Sequence, residues 1–340
     1  MTDRLDGKFT RRAATLDDVD RVVDLGNAAV LEESGVAATT REDKLIEWRL
    51  PNFCLETDTQ LVEAPDGDRL AGYVELWDSK PHVRHYLWGR VHPDYRGRGI
   101  GSYLLQWAEA RARQSLDRAP AGARVSVHSA AAHRNRAAHE LFEARGYEPS
   151  RCFYRMLIEM APETAPPAPA WPAGIGVRPY DLGREDRAVH RALDEAFQDH
   201  WGYVGGEPFD EWFHWIEEDE TFDPSLCFLA VTNGRQNAEK IVGVLMARPA
   251  WERDPDLAWI DELGVLRSWR RQGIGQALLQ HAFAAFHRRG RYKVGLSVDG
   301  DSLTGAASLY ERAGMQIFHQ LDAYEKVLRP GEDLSRQELE

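Results

Sequence analysis

Arg270-Arg271-Gln272-Gly273-Ile274-Gly275 is the stretch on which the reading of this chain turns. It follows the apolar run Leu263-Gly264-Val265-Leu266. It leads into a segment whose Leu278, Leu279, Ala282 and Phe283 recur at helical spacing. The hexapeptide therefore joins a strand to a helix. Glycines let a backbone approach a ligand closely and adopt positive φ. The unpaired N–H groups of the new helix's first turn then face outward with a partial positive charge. That position suits a pyrophosphate, and the arginines add charge and donors. Two familiar phosphate loops do not fit: no Gly-Lys-Ser/Thr follows the glycines, and their spacing is not that of the Gly-x-Gly-x-x-Gly dinucleotide fingerprint.

The block occurs twice. Val91 to Gln106, containing Arg96-Gly97-Arg98-Gly99-Ile100-Gly101-Ser102, lines up with Val265 to Gln280. Leu141-Phe142-Glu143-Ala144-Arg145-Gly146-Tyr147 lines up with Leu309-Tyr310-Glu311-Arg312-Ala313-Gly314-Met315, and Leu70 to Val74 with Ile241 to Leu245. Three matches in the same order argue for an internal duplication, with loop insertions absorbing small changes of offset. Between the copies, residues 161–174 carry Pro162, Pro166, Pro167, Pro169 and Pro172. Proline lacks an amide donor and fixes φ, so this stretch reads as an extended, semi-rigid linker.

The expected organisation is a domain at 1–160, the linker at 161–174, a second domain at 175–330 and an acidic tail at 331–340. Each half reads as an opening strand (Thr10–Ala13; Ile175–Arg178) and an amphipathic helix (Leu16–Ala29; Arg184–Ala196). Two β-rich runs come next, then a strand ending at Val91 or Val265, the glycine block and its helix. A further strand, a helix and a closing strand (Phe153–Ile158; Gln320–Val327) complete the half. The fold class this implies is α/β (α+β mixed sheet), largely antiparallel at first, in two copies.

Composition sets the outer limits. The 340 residues are 43% hydrophobic and 29% charged, which excludes a wholly disordered chain and a disulfide scaffold. Net charge is −13, of which residues 161–340 contribute −11. An acidic chain with no basic block is a poor binder of nucleic acid or anionic membranes. Neither partner is expected, and a monomer or a homodimer is. Cys54, Cys152 and Cys227 form no C-x-x-C pair and read as reduced thiols, mostly buried, in a cytoplasmic protein. No 18-residue apolar run suggests a membrane helix, and the polar Met1 to Arg12 lacks the core of a signal peptide. His82-x-x-His85 reads as part of a loop, and no metal is expected.

The repeated block is similar to the Arg/Gln-x-x-Gly-x-Gly/Ala loop that binds the pyrophosphate of acyl-CoA in the GNAT acetyltransferase superfamily. Each copy follows Val-x-x-x-Tyr/Trp-Arg and precedes a Leu-Leu helix and a Leu-Phe/Tyr-Glu-x-x-Gly element. The chain as a whole resembles tandem GNAT proteins, and among them mycothiol-synthase-like enzymes, which are bacterial. The resemblance implies a mixed sheet splayed open after its fourth strand, with pantetheine in the split. On this chain it places acetyl-CoA on Leu263, Gly264 and Val265, with the pyrophosphate on Arg270, Arg271, Gln272, Gly273, Ile274, Gly275 and Gln276. Ser302, where the family often has Asn, is a further cofactor contact. The equivalent set in the first half is Val91, Arg96, Gly97, Arg98, Gly99, Ile100, Gly101 and Ser102.

The resemblance also makes Tyr310 the general acid, since a phenol can protonate a departing thiolate. Strand alternation sets Glu262 and Gly264 on one face and Leu263 and Val265 on the other. Glu262 is the candidate base, with Asp261 or no discrete base as alternatives. The base of mycothiol synthases falls where Trp259 stands here and does not carry over. Phe142 replaces Tyr310 in the first half, so that half is expected to be catalytically degenerate. The expected function is acetyl transfer from acetyl-CoA to a primary amine of a small molecule. The alternative is an acyl-CoA-binding regulatory or scaffold protein. Phe197 to Tyr203 and Phe209 to Trp215 are rich in aromatics, and Glu207, Asp210 and Glu211 lie nearby. These would suit a cationic amine, although Trp212, Phe213 and Ile216 have the spacing of a packed helix face.

Overall fold

The computed structural model describes residues 8–34, 39–65, 67, 69–232, 239–251 and 254–338. In chain order the first elements are β1 (Thr10–Arg12), α1 (Val19–Ser34), α2 (Arg41–Trp48), α3 (Leu55–Asp58), β2 (Thr59–Glu63), β3 (Leu70–Asp78), β4 (Arg84–Val91), α4 (Ile100–Arg113), β5 (Val125–Ala132), α5 (Arg136–Ala144) and β6 (Glu148–Glu159). The second series is β7 (Ile175–Pro179), α6 (Asp186–Phe197), α7 (Phe209–Glu217), β8 (Phe228–Thr232), β9 (Ile241–Arg248), β10 (Leu257–Val265), α8 (Ile274–Arg288), β11 (Lys293–Asp299), α9 (Ala306–Arg312) and β12 (Gln316–Arg329). Residues 161–174 form neither helix nor strand. His82 lies in the turn before β4, whereas His85 is a buried residue of that strand and not part of a loop. Cys227 is buried and Cys152 half-buried, but Cys54 is exposed, so burial is not general to the thiols.

The compact units are not the linear halves. One consists of Met1–Cys152 with Leu321–Leu334, the other of Phe153–Gln320 with Ser335–Glu340. Each half's closing strand leaves it. Phe153–Glu159 of β6 pair antiparallel with β11, and Leu321–Arg329 of β12 pair antiparallel with β5. The boundaries expected at 160 and 330 therefore do not describe the packing.

In the first unit the sheet runs β1-β2-β3-β4-β5-β12, and in the second β7-β8-β9-β10-β11-β6. Strands β4 and β5 pair parallel, as do β10 and β11, each pair joined by a helical crossover. The duplication is visible in atomic contacts. A β-carbon on Gly72 would stand 2.6 Å from Ile100 and 3.0 Å from Leu104; one on Gly243 would meet Ile274 at 3.2 Å and Leu278 at 3.0 Å. Glycine thus lets α4 and α8 pack directly on β3 and β9. In the first turn of the same helices, Gly101 faces Leu141 and Val91, and Gly275 faces Leu309 and Val265.

In the second unit the sheet separates two cores. Ile274, Leu278, Ala282, Phe283, Leu296 and Tyr310 pack on one face, under α8 and α9. Val189, Leu193, Trp212, Ile216, Val244 and Met246 pack on the other, under α6 and α7.

Candidate active site

Pairing between β10 and β11 runs from Leu257↔Lys293 to Ile260↔Leu296 and stops. Beyond that point Glu262–Val265 pair only with β9, and Ser297–Asp299 only with β6. The sheet is split there, leaving unpaired backbone groups along one edge of β10. The register against β9 slips between Ile260 and Glu262, so Asp261 is the extra residue of a β-bulge. In the first unit β4 and β5 likewise pair only from Arg84↔Ser126 to Tyr86↔His128.

The bulge sets the facing of residues 262–265. Leu263 and Val265 pack against the core under α8 and α9. A β-carbon on Gly264 would lie 2.9 Å from the Ala196 β-carbon of α6, on the opposite face. Glu262 shares that second face: the Trp212 indole donates a hydrogen bond to its carboxylate. Burial, reinforced by the negative charges of Asp261 and Glu207, pushes Glu262 up to about 8, against the smaller opposing effect of Trp212. Asp261 is exposed and bound through both oxygens by Arg248 at 3.0 Å. Of the two carboxylates, Glu262 is the one not committed to an ion pair. Trp259 is buried, stacked on Trp251 with ring centroids 3.9 Å apart.

Tyr310 stands on α9 in the core under α8, 7% exposed. Its hydroxyl has no hydrogen-bond partner among the described residues, and burial raises it to about 12. The neighbouring Leu309 lies against Gly275 at the start of α8, where Val265 ends the split strand. Base and acid candidates thus come from opposite faces of the sheet, either side of the split.

The glycine block forms the turn into α8. Gly273 caps the helix at φ +89°, and Arg271 takes a left-handed φ of +62° where the first unit has Gly97 at +74°. The Arg271 side chain is exposed, with no ion-pair partner among the described residues. Arg270 points inward: it donates to Asp199 at 2.6 Å, to the Ala196 carbonyl at 2.8 Å and to the Val265 carbonyl at 3.0 Å. Its guanidinium is consumed in tying the loop to α6. Gln272 reaches back toward the Ser268 carbonyl. Ser302 is similarly engaged, sharing a hydrogen bond with Thr304 and accepting from the Ala306 amide as α9 begins. In the first unit Arg98 donates to the Asp94 carbonyl and lies over the Tyr95 ring.

Two features escape a linear reading. Glu207, in the turn before α7, accepts from the Trp215 indole. Although its side chain reaches the surface, partial burial and the charge of Glu211 push it up to about 7. In the first unit Trp88 occupies the strand position of Glu262, opposite Glu75 on β3. Both candidate positions therefore differ there, since Phe142 already stands where the second unit has Tyr310. No sequence motif marks Glu207 or Trp88; only the register of strand and helix brings them to the site.

Two segments, residues 27–147 and 187–315, each match the acetyltransferase (GNAT) family. The chain belongs to the GNAT family, in tandem. It is 32% identical over 260 residues to a mycothiol acetyltransferase of Thermobispora bispora, covering 73% of this chain and 77% of that one. It is 27% identical over 291 residues to the enzyme of the same name from Pseudarthrobacter chlorophenolicus, covering 85% and 84%. Among solved structures, a GCN5-related N-acetyltransferase from Sphaerobacter thermophilus superposes with a TM-score of 0.78 at 35% identity, over 97% of this chain and 99% of that one. A tandem GNAT protein from the clavulanic acid biosynthesis pathway shares the fold, with a TM-score of 0.69 at 16% identity over 95% and 100% of the two chains. This tandem GNAT protein is thus an N-acetyltransferase, and an acyl-CoA is the co-substrate its fold takes. No helix among the described residues is long and apolar enough to cross a membrane.

Proposed function

We propose that the second unit transfers acetyl from acetyl-CoA to a primary amine of a small molecule by direct attack. The observation that carries this reading is the placement of Glu262 and Tyr310 on opposite sheet faces at the β10–β11 split. The amine approaches from the α6–α7 face. Glu262 accepts its proton as the nitrogen attacks the thioester carbon within the split. Unpaired strand N–H groups along β10 stabilise the oxygen of the tetrahedral intermediate. When the carbon–sulfur bond breaks, Tyr310 supplies a proton to the thiolate. Leu263, Gly264 and Val265 line the pantetheine path. The amides opening α8 and the free guanidinium of Arg271 receive the pyrophosphate.

The first unit, with Trp88 and Phe142 at the two chemical positions, binds or shapes but does not transfer. The relatives named mycothiol acetyltransferase support a small-molecule acceptor and a bacterial setting, while Trp259 stands where the resemblance to mycothiol synthases would put a base. The test is CoA release from acetyl-CoA across a panel of amines, for wild type, Glu262→Gln and Tyr310→Phe. Amine-dependent release that collapses in both variants supports the assignment; full activity in either removes that residue from it. A structure with acetyl-CoA showing occupancy only in the first unit would overturn it.

A further inference from the structure

Residues 198–208 join α6 to α7 and form neither helix nor strand. In the proposed reaction this loop walls the acceptor side: it leads into α7, whose Trp212 indole donates to Glu262. Its composition gives it little order of its own. Gly202, Gly205 and Gly206 lie within it, the first two at φ +79° and +128°. Each glycine adds to the backbone entropy lost when a loop is fixed. Contacts from outside must therefore hold its shape.

Neighbouring elements hold both ends. Asp199, 5% exposed, accepts from Arg270 of the glycine turn at 2.6 Å. The His190 ring of α6 meets the Glu207 carbonyl at 2.8 Å, and the Tyr203 hydroxyl donates to Asp194 of α6 at 2.9 Å. A distant stretch of the chain holds the backbone at the tip. The Gly202 N–H donates to the Arg336 carbonyl at 2.7 Å, and the Arg336 N–H donates to the Tyr203 carbonyl at 2.8 Å. One residue thus satisfies a donor and an acceptor of two successive loop residues. Beside it the Trp201 indole donates to the Gln337 side-chain oxygen at 2.8 Å, and the Gln337 amide donates to Ser335 Oγ at 2.7 Å. Ser335 is itself buried. Residues 335–337 pack within the second unit, yet they lie outside both segments that match the family, 27–147 and 187–315.

We propose that residues 335–337 are a positioning strap for the acceptor loop of the second unit. This rests on the acetyltransferase reading and adds a determinant of acceptor affinity that lies outside the duplicated blocks. The strap acts through the loop and takes no part in the chemistry. Without the Arg336 bridge, the loop spends part of its time away from the shape that binds the amine. Apparent affinity then falls in proportion to the fraction of molecules still in that shape. Saturating amine restores the shape, so kcat is retained. The glycine turn is tied to α6 separately, through Arg270, so the KM for acetyl-CoA is retained as well.

The experiment uses the full chain with acetyl-CoA and with n-butylamine, benzylamine and glucosamine as acceptor probes. Arg336→Pro removes the N–H given to Tyr203, whereas Arg336→Ala keeps it. In Arg336→Pro the amine KM should rise about three- to tenfold, the scale of one or two hydrogen bonds. Its kcat should stay within about threefold of wild type and its acetyl-CoA KM within about twofold. Arg336→Ala should match wild type in all three. Amide hydrogen exchange gives a readout apart from turnover: residues 198–208 should exchange several-fold faster in Arg336→Pro, with β9 and β10 unchanged. Faster exchange there, without CoA release from any probe in wild type, would sink the transferase reading and leave the strap standing. An amine KM or a loop exchange rate unchanged in Arg336→Pro, or a KM raised equally in Arg336→Ala, would overturn the strap and leave the transferase reading intact.

Discussion

Glu262 and Tyr310 lie on opposite faces of one sheet, and only the split beyond Ile260–Leu296 connects their two sides. In the proposed reaction, an acceptor among α6 and α7 and a thioester under α8 and α9 would meet there. The geometry suits a ternary complex, with no acyl group parked on the protein.

The base assignment fixes a pH profile. With Glu262 raised to about 8, the rate should climb with pH through an acidic limb near that value. Glu262→Gln should lower kcat by about 100-fold or more and abolish the limb. Stability should move the other way. Because the native carboxyl titrates above its ordinary 4.5, wild type loses stability as pH rises from about 4.5 to about 8. Glu262→Gln escapes that loss, so its Tm advantage should grow across this window and level off above it. A Tm difference independent of pH would show that the carboxyl is not buried as described.

Tyr310→Phe removes a hydroxyl and little packing, so folding should survive while kcat falls about 100-fold near neutral pH. The converse change, Phe142→Tyr, should create no activity in the first unit, because Trp88 still stands where a base is needed. Double knockout of Tyr310 and Glu262 with Phe142→Tyr added, assayed by CoA release, checks the second statement.

Arg271 combines a cost with a use. A non-glycine residue in the left-handed region is strained, by about 1 kcal/mol, and Gly97 shows that glycine fits the same turn. Arg271→Gly should therefore hold or slightly raise Tm while increasing the KM for acetyl-CoA several-fold. If both parameters stay at wild-type values, the guanidinium has no part in binding the co-substrate.

The crossover glycines should respond unequally. A methyl at Gly72 would come within 2.6 Å of Ile100, whereas one at Gly243 has 3.0 Å or more on every side. Gly72→Ala should cost about 1–3 kcal/mol by overpacking, and Gly243→Ala distinctly less. Urea denaturation of the two variants measures the order directly.

Much of this was legible in the sequence because it is local. The glycine blocks fall between strand and helix in both copies, since capping and turn chemistry act within a few residues. The alternation that separates Glu262 and Gly264 from Leu263 and Val265 holds because the bulge falls before it, at Asp261. What was missed depends on distant partners. Nothing near Arg270 says that Asp199 will claim its guanidinium. Nothing near Ser302 says that its hydroxyl will also accept from the Ala306 amide where α9 begins. Glu207, one of several carboxylates noted beside the aromatic segments, is set apart from the others only by the fold, which puts Trp215 next to it.

By itself the sequence determined the duplicated α/β architecture, the glycine turns between strand and helix and the asymmetry of Tyr310 and Phe142, because periodicity and turn chemistry are written residue by residue. Tertiary structure alone decided which sheet each closing strand completes. It also decided that Lys44 is buried between Glu75 and Glu47 over the Trp88 ring, and that Asp261 rather than Glu262 takes the ion pair with Arg248. Strand pairing and charge burial join residues that are far apart in the chain, and their energies exist only once those residues meet.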